Sequence, residues 1–305
     1  MPLTFEEKIT MKPPNSAWLS ANQAWSFLVA QIYKEGKEVR PRDLLCREIL
    51  AHTTRVDMSR PIAANRPKLG HRYLIAEAWW IISGHNDVAS IEHYSPHIAS
   101  FSDDGLTFSG AYGPRIIDQL RYVCDTLEAD WESRQAVVEI WRPNPRPSRD
   151  ISCTLTIQWM IRKEGEDYFL HCFDTMRSSD AWLGWPYDVF TFSMLSAYIA
   201  LMLRDRDKAK QPTGFTGPGG GLKLGRLHLT AASQHLYVDP KQDGAKNIPY
   251  SLKDVESFLS GPGFAQEGEY FPLNLDEFSS PGEFLEYLKT CKDRLGYGKE
   301  WLAGF

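Results

Sequence analysis

The sequence predicts an α/β (α+β) fold. Three observations carry that expectation: helical runs that are amphipathic or apolar throughout, β-branched segments with partial alternation, and turn residues punctuating them in mixed order. At 305 residues, 43% hydrophobic and 24% charged, the chain has a globular composition and fits a single domain, residues 1–305. A formal net charge of -5 argues against a broad nucleic-acid-binding face, so no obligate nucleic-acid partner is expected. No run of about 18 uninterrupted apolar residues occurs, which predicts no membrane span. The opening MPLTFEEKITMKPPNS lacks the apolar centre of a signal peptide. Five scattered cysteines without a CxxC pair point to a reducing, cytoplasmic setting and to no zinc knuckle.

Taken in order, residues 18–35 place Trp25, Leu28, Ile32 and Tyr33 on one helical side, with Gly36 suited to the C-terminal cap. KEVRPRDLLCREIL, carrying Arg40, Arg42 and Arg47, reads as charged, solvated surface. Residues 71–83 (HRYLIAEAWWIIS) read as a buried helix ended by Gly84. Glu77 lies inside it between alanines, where a charged carboxylate is costly unless paired, for instance with Arg72, or used. A short helix from Asn86, the bend FSGAYGPRI around Tyr112 and a helix over 114–128 follow. His93 and His97 have ligand spacing, but Pro96 breaks the helix that spacing requires; they read as surface residues, and no metal is expected.

Residues 135–141, 153–161 and DYFLHCFDTM read as strands, the last two joined by a KEGED hairpin connection. Cys153 opens the second of these directly after the polar loop RPNPRPSRD. The stretch MRSSDAWLGWPYD, 176–188, sets Arg177, Ser178, Ser179 and Asp180 before Gly184 and the carboxylate Asp188. It suits a small, flat, anionic ligand, and equally a surface turn with ordinary N-caps. Residues 189–204 are apolar on nearly all sides, as in a helix buried in a domain. Residues 205–225 read as a flexible insertion, since TGPGGGLKLG lacks the GK[ST] of a phosphate loop. RLHLTAASQHLYVDP reads as a strand with His235 and Tyr237 on one face. The divergent region 240–305 adds helices near 251–260 and 281–293 but no identifiable chemistry.

Set in order, these pieces resemble the thymidylate synthase family over roughly residues 20–240. EAWWIISGHNDVASI resembles its helix bearing a catalytic glutamate, AYG at 111–113 its active-site tyrosine turn, and SRQAVVEIW its SRR strand. MRSSDAWLGWPYD resembles QRSxDxxLGxPFN, and QHLY resembles DxHLY. The resemblance implies a thymidylate synthase-like fold, a mixed β-sheet flanked by helices, in a homodimer that packs sheet against sheet. It implies Cys153 as the nucleophile adding to C6 of a pyrimidine nucleotide, Glu77 as organiser of water and proton transfers, and Tyr112 as the active-site tyrosine. Arg177 and the partner subunit's Arg134 become phosphate ligands, with Arg42, or in competition Arg40, as a further one. Ser178, Ser179 and Gly184 belong to the substrate signature, Asp180 faces folate and pyrimidine, and His235 and Tyr237 bind the sugar 3'-hydroxyl. The implied co-substrate is 5,10-methylenetetrahydrofolate. A thiolate is a good nucleophile and leaving group, and neighbouring guanidinium groups are expected to lower its pKa.

The departures refine the expectation. The family's uracil-reading asparagine is here Asp188, whose acceptor oxygens suit the N4 amino group of cytosine and, with a proton, N3. The same exchange is the hallmark of deoxycytidylate hydroxymethylases. Ile98 stands where the family's folate-stacking tryptophan is expected, which fits capture of water in place of hydride. Met176, Gln135 and Thr154 also replace family residues, and the usual closing tail is unrecognisable in GKEWLAGF. The expected activity is dCMP 5-hydroxymethylation. CMP hydroxymethylation, dCMP methylation, thymidylate synthesis and a catalytically silent nucleotide- or RNA-binding relative are the alternatives.

Overall fold

The computed structural model describes residues 3–13, 18–210, 221–238, 248–267 and 272–294. It begins with a short helix α1 (Phe5–Thr10) and then α2 (Ala21–Glu35). The Ser20 side chain and Gln23 close a reciprocal capping box on α2. Gly36 ends α2 as expected, though not through a left-handed conformation: a Cβ there would lie 2.4 Å from the Ile32 carbonyl oxygen. The elements that follow are β1 (Lys37–Val39), β2 (Cys46–Asp57), α3 (His71–Ile82), α4 (Gly113–Ala129), β3 (Val137–Glu139), β4 (Thr154–Glu164), β5 (Asp167–Asp180), α5 (Trp185–Lys210), β6 (Leu222–Tyr237), α6 (Leu252–Ser260) and α7 (Pro281–Arg294).

One six-stranded mixed sheet runs β1-β2-β6-β5-β4-β3. Every pairing is antiparallel except β5 with β6, and that parallel pair is connected through α5, the crossover a parallel pair requires. α5 packs on β5 and β6, α2 on β2, and α3 against α5 and α7. α5 is long and apolar enough to cross a membrane by length and composition, contrary to the expectation from uninterrupted runs, but 78% of its apolar window is buried inside the fold.

The topology brings distant residues to one end of the sheet. Because β4 runs antiparallel to β5, its first residue Thr154 pairs with Met176 near the end of β5. Parallel β6 ends beside it, with Asp180 opposite His235, and antiparallel β2 begins where β6 ends, with Cys46 opposite Tyr237. Cys153, Arg177, His235 and Arg42 therefore converge from four separate segments.

Several expectations need correction. KEVRPRDLLCREIL is charged surface as expected, with Arg40 and Arg42 exposed and Arg47 half-buried, but it also carries β1 and the start of β2, a strand that pairs with β1 and β6. The short helix expected from Asn86 is a series of turns, followed by a 3-10 helix over Pro96–Phe101. β5 continues through Arg177–Asp180, so the first part of the 176–188 signature lies on a strand, a turn follows, and α5 begins at Trp185. The insertion expected at 205–225 is helix through Lys210 and strand from Leu222; residues 211–220, like GKEWLAGF, lie outside the described residues.

Candidate active site

Cys153, Glu77, Tyr112, Asp188 and Ile98 line one chamber of about 210 Å³, walled by Trp80, Ile81, Phe108 and Phe192. α3 contributes Glu77 because the apolar side of the helix is buried, leaving that carboxyl directed into the chamber. Tyr73, one turn earlier, donates its hydroxyl to Glu77 Oε1 at 2.6 Å. Burial outweighs that bond and lifts Glu77 to about 7. Asp188 lies in the first turn of α5 and is pushed well above the ordinary carboxylate range, first by burial and then by Glu77 and Asp180.

Tyr112 fixes the backbone at Cys153. Its hydroxyl accepts the backbone N–H groups of Cys153 at 3.2 Å and Thr154 at 3.1 Å. Arg177 clasps the same segment: Nε donates to the Ser152 carbonyl and one terminal nitrogen to that of Ile151, both at 2.9 Å, and the latter nitrogen lies 3.7 Å from Cys153 Sγ. The guanidinium expected to favour the thiolate is thus present. Its effect is outweighed: burial, with Asp188 and Asp150, leaves the thiol raised above its ordinary value.

A second, open cavity of about 1090 Å³ meets the chamber at Phe101 and Ile151. It is lined by Arg42, Arg177, Ser178, His235 and Tyr237, as the signature implied, and also by Arg149, Glu48 and Ser233. His235 and Tyr237 stand edge to face with centroids 5.2 Å apart, and His235 Nδ1 is buried without a hydrogen-bond partner among the described residues. Arg42 has a left-handed backbone, φ 53°, in the 3-10 turn that brings it beside Tyr237. Arg40 is absent from the lining.

Other predicted residues fall elsewhere. The Asp180 carboxylate does not line either cavity; it accepts the backbone N–H groups of Trp182 at 2.8 Å and Leu183 at 2.9 Å and so builds the turn leading to α5. Ser179 is buried and bonded to Gln234, not open to either cavity. Gly184 lines neither cavity; its N–H donates to the Asp180 carbonyl and its own carbonyl accepts the Asp188 N–H, both at 3.0 Å. Arg134 is exposed and lines neither cavity of its own chain. Sequence reasoning missed Tyr250, which accepts the Tyr237 N–H at 2.7 Å, donates to Asp180 at 3.2 Å and stacks on Trp182. It also missed Arg66, buried with its Nε on the Trp182 carbonyl. No motif surrounds either. Among the described residues no group of three or more metal-ligating side chains is found.

A family model described as thymidylate synthase matches residues 23–243. A deoxyuridylate hydroxymethyltransferase of Bacillus phage SP01 is 25% identical over 291 residues, covering 87% of this chain and 68% of that protein. Proteins of the same description from Pseudomonas phage M6 and Delftia phage PhiW-14 are 32% identical over 135 residues and 34% over 88; the chain matches only 38% and 25% of their respective lengths.

Proposed function

The chain belongs to the thymidylate synthase family, and we propose that it is a folate-dependent pyrimidine nucleotide hydroxymethyltransferase. In this reading it converts dCMP, 5,10-methylenetetrahydrofolate and water to 5-hydroxymethyl-dCMP and tetrahydrofolate. The observation that carries it is the shared chamber of Cys153, Glu77 and Asp188. Arg177 and Arg42 hold the phosphate in the open cavity, with Arg134 supplied by a second subunit. His235 and Tyr237 meet the sugar, and the pyrimidine reaches Cys153. Sulfur adds to C6, which makes C5 nucleophilic toward the one-carbon unit that methylenetetrahydrofolate supplies. Glu77, poised near 7, moves protons and directs water onto the C5 methylene that results. The apolar wall around Ile98 and Trp80 suits a flat pterin beside that reaction.

Base choice falls to Asp188. A neutral carboxyl group accepts from N4 with one oxygen and donates to N3 with the other, and burial favours this neutral form. The names of the phage relatives favour a second reading, dUMP as substrate, with the Asp188 hydroxyl donating to O4 instead. Incubation with methylenetetrahydrofolate and each of dCMP, CMP and dUMP, followed by product mass, separates them. Gain of CH2O from dCMP is expected. Gain of CH2 with dihydrofolate would identify a methylase. In the same assay Asp188→Asn shifts preference toward dUMP by roughly 100-fold, several kcal/mol of discrimination being available where a buried group is left unpaired; unchanged selectivity would remove Asp188 from base reading.

A further inference from the structure

One carboxyl group of the chamber lining has no part in the reaction above. Asp150 lies three residues before Cys153, in the loop between β3 and β4, and lines the chamber together with Ile98, Phe101 and Phe108. Hydrogen bonds on two sides fix where it stands. Its Oδ2 accepts the Gly110 N–H at 2.6 Å, and the Ser152 hydroxyl donates to the Gly110 carbonyl at 3.0 Å. A Cβ at Gly110 would meet the Asp150 carbonyl oxygen and Oδ1 at 2.8 Å, so glycine is what admits the carboxyl group this close. On the other side, the Arg149 N–H donates to Asp103 Oδ1 at 3.0 Å and the Ser148 hydroxyl to Asp103 Oδ2, which docks the loop against the segment following the 3-10 helix of Ile98 and Phe101. Acceptor capacity is left over. Among the described residues Asp150 Oδ1 accepts no hydrogen bond, and the Arg115 guanidinium is committed to the carbonyls of Ile140 and Ser109 and to the Ser152 hydroxyl. Burial lifts Asp150 above the ordinary carboxylate range, against the Gly110 bond and the Arg115 charge. For holding Gly110 alone, a neutral amide acceptor would serve without the cost of a half-buried charge.

We propose that Asp150 is the residue that reads the folate, its carboxylate accepting from the N3–H and the 2-amino group of the pterin. The inference rests on the hydroxymethyltransferase reading and names a binding residue for its co-substrate. The pyrimidinone edge of the pterin carries two donors side by side, the pattern that a carboxylate meets in a plane. The glutamate tail of folate and the phosphate of the nucleotide are anionic and would be repelled, so neither is the partner of this group. Ile98 and Phe108 offer apolar surface to the ring faces, and Asp150, tied by its loop to the same wall, meets the edge. Asp180, which the signature set toward folate, is already committed: Oδ1 accepts the N–H groups of Trp182 and Leu183 and the Tyr250 hydroxyl, and the side chain lines neither cavity. Two new donors relieve a carboxylate that burial disfavours, so the group that is costly in the free protein becomes favourable when the pterin is bound.

The test is calorimetric binding to the full chain, in the presence of dCMP or dUMP, of two probes: tetrahydrofolate and 2-desaminotetrahydrofolate, which lacks one of the two donors. The proteins are the wild type and Asp150→Asn, whose amide oxygen keeps the Gly110 bond while its NH2 group confronts the pterin donors. The wild type is expected to bind 2-desaminotetrahydrofolate roughly 10- to 100-fold more weakly than tetrahydrofolate, the worth of a charge-assisted bond. Asp150→Asn loses affinity for tetrahydrofolate by a similar factor and no longer separates the two folates by more than about twofold, as a direct contact requires. Its nucleotide affinity stays at the wild-type value. Equal binding of the two folates by the wild type overturns the proposal, even should the variant fail to fold. A variant that weakens both folates yet still separates them also overturns it, since Asp150 is then a tie to Gly110 and nothing more. A wild type that binds neither folate with either nucleotide overturns the hydroxymethyltransferase reading itself, and this inference with it.

Discussion

The chamber and the open cavity meet at Phe101 and Ile151 yet are built on opposite electrostatics. Among the described residues the chamber lining holds three carboxyl groups, Glu77, Asp150 and Asp188, all raised by burial, and no arginine or lysine. The cavity lining holds three arginines, Arg42, Arg149 and Arg177, on an exposed face. Titratable acids are gathered in the chamber, and fixed positive charge in the cavity. Arg177 is the joint between them, with a terminal nitrogen 3.7 Å from Cys153 Sγ. The division teaches that recognition and chemistry should respond separately to mutation.

Cys153→Ser is the sharpest attempt to break that division. Turnover is expected to fall by on the order of ten-thousand-fold, while calorimetry finds nucleotide affinity unchanged within about threefold. A large loss of affinity would mean that the sulfur also organises the cavity. Glu77→Gln comes next, with kcat lowered roughly 100- to 10,000-fold and KM for nucleotide nearly constant.

The same substitution has a second readout. Glu77 is raised in the folded chain from 4.5 to about 7, so its favourable contribution is fully present below 4.5 and is lost as pH rises through 7. Denaturant melts should show Glu77→Gln gaining on the wild type across that window, by at most about 3 kcal/mol. A constant difference from pH 5 to 8 would place the carboxyl in contact with bulk water. Arg177→Ala has the smallest effect on chemistry. Nucleotide binding weakens roughly 10- to 100-fold, the worth of a charge-assisted bond, and binding of deoxycytidine, which lacks the phosphate, is unaltered. Equal weakening of both would move Arg177 out of phosphate recognition.

Legibility in the sequence followed the same line. Glu77 stood out because a carboxylate among alanines and tryptophans contradicts local burial, and Cys153 because it opens a strand after a proline-rich loop. α3 and α5 announced themselves by apolar runs. β2 did not: Arg47, Glu48 and Arg55 break up its pattern, and the burial that makes it a strand comes from pairing with β6, far away in the chain. Ser179 and Asp180 sat in the right motif but face structural partners, a distinction made by Gln234 and Tyr250 and not by neighbours in sequence.

One buried oxygen receives both amides at the mouth of β4, so Tyr112→Phe would orphan two donors at once and loosen the backbone that aims the sulfur. A single atom there holds the segment that carries Cys153.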